Sequence, residues 1–192
     1  DYVDRGPDSA KVIEHLLGPS PIGQRFTLMG NHEAMMLQYL ANPGQFHPWL
    51  ASGGIETLAS YGTGQQAGEP VVPASHAALL RGMPHTLSLP GVLFVHAGIR
   101  PGRPLLDQVE EDLLWIREPF LSAPNLLPRV VHGHTPGAEP VITGSRICVD
   151  TGAFHSGLLS AVRVMENGPV RFLNSQGGVT DCDWPHQLVP NA

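Results

Sequence analysis

The sequence predicts a mixed α/β fold. Stretches with apolar residues at helical i, i+4 spacing interleave with apolar runs of two to four residues, and several of those runs lead straight into a polar loop. Gly and Pro, 22 and 19 of 192 residues, punctuate the chain densely enough to predict many short connections. Open α/β sheets bind ligands beyond the carboxyl ends of their strands, so a site is expected where such loops collect.

The elements follow in chain order. After Gly6-Pro7, Asp8 or Ser9 can cap a helix carrying Val12, Ile13, Leu16 and Leu17, and Gly18-Pro19 ends it. Residues 26–29 read as a short strand stopped by Gly30, with Asn31-His32-Glu33 as the joint to a helix over 34–40. The stretch 42–82 reads as a helical, cap-like insertion with helices around 48–50, 55–61 and 75–82. From Thr86 the pattern turns to β: strands at 86–89 and 92–95 around Pro90-Gly91, the second running into His96-Ala97-Gly98. A helix is predicted over 105–115, broken at Arg117-Glu118-Pro119. Val130-Val131 leads into His132-Gly133-His134-Thr135-Pro136, and Ile147-Cys148-Val149 into Asp150-Thr151-Gly152. Strands at 158–165 and 170–173 flank Glu166-Asn167-Gly168-Pro169, a hairpin signal.

Composition narrows the function classes. A length of 192 residues suits one domain. Seventeen acidic against 11 basic residues, a net charge of −6, argue against a surface built to neutralise nucleic acid. No apolar run approaches the roughly 18 residues of a membrane span. Cys148 and Cys182 are too few for a disulfide framework, and a reducing cytoplasm is expected.

Chemistry concentrates at Asp1, Asp4, Asn31, His32, His96, His132 and His134. Carboxylates, an amide and imidazoles suit Mn²⁺, Fe²⁺ or Zn²⁺, whereas a thiolate site would need cysteines in the loops. Several residues are set aside. His15, late in the first helix, reads as a surface or capping residue; His47, His76, His85 and His186 follow no strand-end pattern and read as surface or loop residues; and His155, after the 150–152 loop, reads as structural or incidental, with facing the site as the alternative. His132 reads as a structural or supporting residue, with lining the site as the alternative, Asp150 as a plain turn, and Met35, Met36, Trp49 and Trp115 as core.

Asp1-Tyr2-Val3-Asp4-Arg5-Gly6, Gly30-Asn31-His32-Glu33, His96-Ala97-Gly98 and Gly133-His134-Thr135 resemble, in order, the motifs of the phosphoprotein phosphatase family of calcineurin-like metallophosphoesterases. Leu114-Trp115-Ile116-Arg117-Glu118 and Val149-Asp150-Thr151-Gly152-Ala153 add a likeness to the bacterial serine/threonine protein phosphatase type. The resemblance implies a sandwich of two central β-sheets flanked by helices, and a two-metal centre, manganese by preference, with iron or zinc as alternatives. By resemblance, Asp1 bridges the metals, and Asn31, His96 and His134 ligate the second. His32 is the general acid, Asp4 orients it, and Arg5 and Arg117 grip phosphate oxygens. Direct attack by metal-bound hydroxide on a phosphorylated protein is the implied reaction. The alternatives are symmetrical cleavage of a dinucleoside tetraphosphate, or an inactive fragment that lacks the ligands of the first metal. Membrane and nucleic-acid partners are not expected.

One departure stands out. The family opens with Gly-Asp-x-His-Gly, whose Asp and His hold the first metal, and this sequence lacks that motif. The expectation is a single domain whose first strand and motif lie upstream of Asp1, with the 192-residue chain itself poorly active and marginally stable.

Overall fold

The computed structural model describes residues 1–21, 23–45, 48–62, 72–165 and 168–184. They group into two compact units, Asp1–His85 and Thr86–Ala192. His47, His186 and the Glu166-Asn167 half of the hairpin signal lie outside the described residues.

The first unit is helical in its described part. Helix α1 (Ser9–Leu17) buries Ile13 fully and leaves Val12 and Leu17 about 40% exposed, so its apolar stripe is narrower than the sequence suggests. Neither candidate cap residue makes a side-chain cap bond, and Ser9 instead turns its hydroxyl to the Asp4 backbone. Helix α2 (Asn31–Ala41) begins three residues earlier than expected, taking Asn31, His32 and Glu33 into its first turn. The reason is Glu33, whose Oε2 accepts the Gly30 N–H at 3.0 Å and caps the helix from within. Residues 26–29 form no strand. Met29 donates to the Pro84 carbonyl at 2.9 Å and Leu28 N–H to the Tyr2 hydroxyl at 3.3 Å, and among the described residues no ladder partner runs alongside. A helical turn at Leu50–Gly54, kinked where Gly53 takes φ 116°, leads into α3 (Ile55–Ser60), and α4 (Ala74–Arg81) follows. Among the described residues, Trp49, Met36, Ile13 and Leu80 are the first unit's large fully buried apolar side chains.

The second unit holds two sheets. Strands β1 (Thr86–Leu89), β2 (Val92–Val95), β3 (Arg129–His132), β4 (Val141–Ile142) and β5 (Arg146–Cys148) form one sheet in the order β1-β2-β3-β5-β4. Its central strands β2, β3 and β5 run parallel, and the outer two are antiparallel. Strands β6 (Ser160–Arg163), β7 (Val170–Asn174) and β8 (Val179–Cys182) form an antiparallel second sheet.

Strand alternation sorts the core. Leu93, Val95 and Val130 face α5 (Glu110–Trp115), joining Leu113, Ile116, Phe120 and Leu126, while Val92, Val131 and Ile147 face the second sheet with Val170 and Trp184. Each of these side chains contributes roughly 1.5–3 kcal/mol through burial. The helix expected over 105–115 is two pieces, a 3₁₀ turn at Leu105–Asp107 and then α5, because Gln108 and Val109 are extended between them. The two-residue β4 and the polar β8 carry too little apolar signal to be read from sequence. A short helix α6 (Ala153–Ser156) follows β5.

Candidate functional site

In the first unit the site residues lie on the loop of residues 1–6 and the first turn of α2. Asp4 and Arg5 take the left-handed backbone region, with φ 80° and 63°, unusual without glycine. What holds them there is specific. Asp4 N–H donates to Thr57 Oγ1 at 2.7 Å and Ser9 Oγ at 3.1 Å, and Arg5 N–H to the Gly53 carbonyl at 3.2 Å. Gly53 is required at that contact, since a β-carbon would lie 2.6 Å from Arg5 Cγ and N.

The Asp4 carboxylate, itself 1% exposed, meets three donors: His32 Nδ1 at 2.5 Å and Trp49 Nε1 at 2.7 Å on Oδ2, and Thr57 Oγ1 at 2.7 Å on Oδ1. Asp1 Oδ1 accepts the His32 backbone N–H at 3.4 Å, beside a Gly30 whose missing side chain leaves room for that carboxylate. Glu33, fully buried, accepts from Tyr2 N, Val3 N and Gly30 N at 2.6, 3.1 and 3.0 Å, and so pins the loop to the helix. Asn31 is buried in the same turn.

In the second unit the parallel strands deliver their loops to one edge. Backbone bonds join those loops: Gly133 N to the His96 carbonyl at 2.8 Å, Val149 N to His132 at 2.9 Å, and Gly137 N to Asp150 at 3.1 Å. His96 Nε2 and His134 Nδ1 stand 3.2 Å apart, both residues buried. His134 takes φ 62°, and the Trp115 ring meets it edge-on at 6.1 Å. Arg117, exposed, donates from Nη2 to the His134 carbonyl at 3.4 Å.

His132 points elsewhere. Its Nδ1 bonds the Gly133 carbonyl, its Nε2 accepts from Arg146, and Phe120 packs against the ring. Burial, reinforced by Arg146, pushes its pKa down to about 4, so it stays neutral. Asp150 Oδ1 accepts the Gly152 N–H at 2.9 Å, the turn expected of it, and His155 lies exposed above Gly152.

Two sequence readings of these residues need correction, and a third is incomplete. His76 is buried, not a surface residue: its Nε2 bonds Glu14 at 2.9 Å and its Nδ1 the Tyr61 hydroxyl at 3.0 Å, tying α1, α3 and α4 together. Trp115 is 42% exposed and not core, because it ends α5 beside the His134 loop. Trp49 is core, yet it also donates to Asp4, as does Thr57, and nothing in the spacing of residues 42–82 marks either. Glu33 did carry a signal, being the fourth residue of the Gly-Asn-His-Glu quartet.

The model of the family described as calcineurin-like phosphoesterase matches residues 1–163. This chain belongs to that family. A bis(5'-nucleosyl)-tetraphosphatase of the asymmetrical kind from Bacillus subtilis (strain 168) is 28% identical over 188 aligned residues, covering 86% of this chain and 74% of the relative. A crystal structure described as that of a candidate diadenosine tetraphosphatase superposes with a TM-score of 0.60 at 20% identity, over 95% of this chain and 77% of the other, and shows the shared fold.

Calcineurin-like phosphoesterases use a dinuclear divalent metal centre. The His96–His134 nitrogen separation of 3.2 Å lies between the edges of about 3.0 and 3.4 Å that octahedral and tetrahedral sites have at metal–nitrogen lengths near 2.1 Å. Imidazole nitrogens suit a borderline divalent cation, and in the first unit the carboxylate of Asp1 and the amide of Asn31 are oxygen donors of the kind that hard to borderline divalent cations take. Among the described residues no three His, Cys, Asp or Glu side chains close round one position. Nor is any described helix long and apolar enough to cross a membrane.

Proposed function

We propose that the chain hydrolyses a dinucleoside polyphosphate, with His32 as proton donor to the departing oxygen. The observation that carries the chemistry is the buried Asp4–His32 couple at 2.5 Å. A carboxylate on Nδ1 fixes the imidazole so that Nε2 delivers the proton. Support for the substrate class comes from the Bacillus subtilis relative, whose name specifies a nucleosyl tetraphosphate.

Asp1, Asn31, His96 and His134 would hold the divalent ions, manganese by preference over iron or zinc. When bound, such ions supply Lewis acidity and lower the pKa of water. Arg5 and Arg117 would orient non-bridging phosphoryl oxygens, a task suited to the guanidinium fork. In support, Arg117 is anchored through the His134 carbonyl and Arg5 through Nε on the Ser52 carbonyl at 3.3 Å, and both are exposed.

The second reading is a phosphoserine or phosphothreonine substrate, favoured by the Leu114-Trp115-Ile116-Arg117-Glu118 run beside His134. Manganese-dependent turnover of diadenosine tetraphosphate and of a phosphothreonine peptide, measured side by side, separates the two. Turnover of the nucleotide at least tenfold above the peptide supports the first reading, and the reverse replaces it. Products identify the cleavage: two diphosphates for symmetrical, a triphosphate and a monophosphate for asymmetrical.

A further inference from the structure

We propose that Thr57 and Trp49 are positioning residues for the proton transfer by His32, acting through Asp4. The inference rests on the reading of His32 as proton donor and deepens it. Satisfying a buried carboxylate takes donors, but it does not require that they fix its plane. Here they do. Thr57 holds Oδ1 at 2.7 Å while Trp49 and His32 share Oδ2 at 2.7 and 2.5 Å, so rotation about the Cβ–Cγ bond would break all three contacts.

Thr57 also controls the backbone. Its hydroxyl oxygen accepts the Asp4 N–H at 2.7 Å and lies 3.0 Å from Ser9 Oγ, at a residue whose φ of 80° has to be enforced by its surroundings. One side chain therefore sets both where Asp4 stands and how its carboxylate is turned. Trp49 is equally committed. Its ring is 1% exposed, lies at 5.0 Å from Tyr39 and covers Gly54, where a β-carbon would meet the indole at 2.5 Å, so the N–H has one direction available.

The consequence falls on the leaving group. As the scissile P–O bond breaks, its electron pair stays on the departing oxygen, which takes the His32 Nε2 proton; water supplies the incoming oxygen and gives up a proton in turn, which restores the donor. An oxygen that leaves readily as an anion, a nitrophenolate or the phosphate of a polyphosphate, needs less of that proton than an alkoxide does, so an alkyl ester is the sensitive probe of the donor. Misplacing His32 by a fraction of an ångström should therefore penalise poor leaving groups and spare good ones.

The experiment compares wild type, Thr57→Val, Thr57→Ser, Trp49→Phe and His32→Asn in manganese on p-nitrophenyl phosphate and on an alkyl phosphate. Thr57→Val is expected to lower kcat on the alkyl ester by about 10- to 100-fold and on the nitrophenyl ester by less than about threefold, with KM unchanged, as for loss of a buried charge-assisted bond. Thr57→Ser should recover most of the loss, and Trp49→Phe should show the same selectivity should Thr57→Val fold poorly. Equal losses on both esters, or a selective His32→Asn beside unselective Thr57→Val and Trp49→Phe, overturns the positioning role alone. A His32→Asn variant that loses equally on both esters removes the proton-donor reading and this inference with it.

Discussion

Replacing Glu33 by Gln tests how the loop of residues 1–6 is held. The carboxylate is fully buried and accepts three backbone N–H groups, Tyr2 at 2.6 Å, Val3 at 3.1 Å and Gly30 at 3.0 Å. Glutamine has the same shape but one acceptor oxygen. With its oxygen toward Tyr2 and Val3, its amide faces the Gly30 N–H, donor against donor. The Gly30 donor is left buried without its charged acceptor, which costs about 1.5–3 kcal/mol. That is a substantial part of the roughly 5–15 kcal/mol of a typical domain. In urea denaturation at neutral pH this is a midpoint lower by roughly 1 M at a typical m-value, with m unchanged. A midpoint shift below about 0.3 M would show that the loop is held by something else.

Other consequences are as direct. In Gly98→Ala the new β-carbon runs into the Phe120 ring, and a loss of about 1–3 kcal/mol is expected from thermal or urea unfolding. Tyr61, half-buried against His76, has its phenol pushed up to about 12 by burial. The unfolded chain ionises it near 10, so this residue's contribution to stability holds below pH 10 and fades as pH rises toward 12. Ultraviolet phenolate titration of wild type and Tyr61→Phe should show one late-titrating group missing from the variant. His96→Ala and His134→Ala should each weaken cobalt(II) binding by about 10-fold or more, read from the visible absorption of the bound ion, while His132→Ala leaves it within about twofold.

Much of the second unit was legible in the sequence because its elements are local. Val92 to Val95 and Val130-Val131 are β-branched or apolar enough to declare strands, and each continues into the histidine-bearing loop that the parallel sheet then places at one edge. The Asn31-His32-Glu33 joint was found but misread. Its helical state depends on Glu33 capping the turn from within while bonding residues 2 and 3, a contact across 30 positions that no window of spacing reveals. The strand expected at 26–29 failed for the same reason in reverse, since apolar character alone does not supply a ladder partner.

The sequence by itself determined which chemistry the chain carries, because a carboxylate, amide or imidazole has its donor character wherever it stands, and four short motifs in order were enough to name them. Tertiary structure alone decided how those groups are held. Thr57 and Trp49 reach Asp4 from 53 and 45 positions away, His76 turned inward to join Glu14 and Tyr61, and His132 was desolvated beside Arg146 while His134, two residues on, faced His96. Orientation and desolvation come from neighbours brought together through space, and a linear pattern has no record of them.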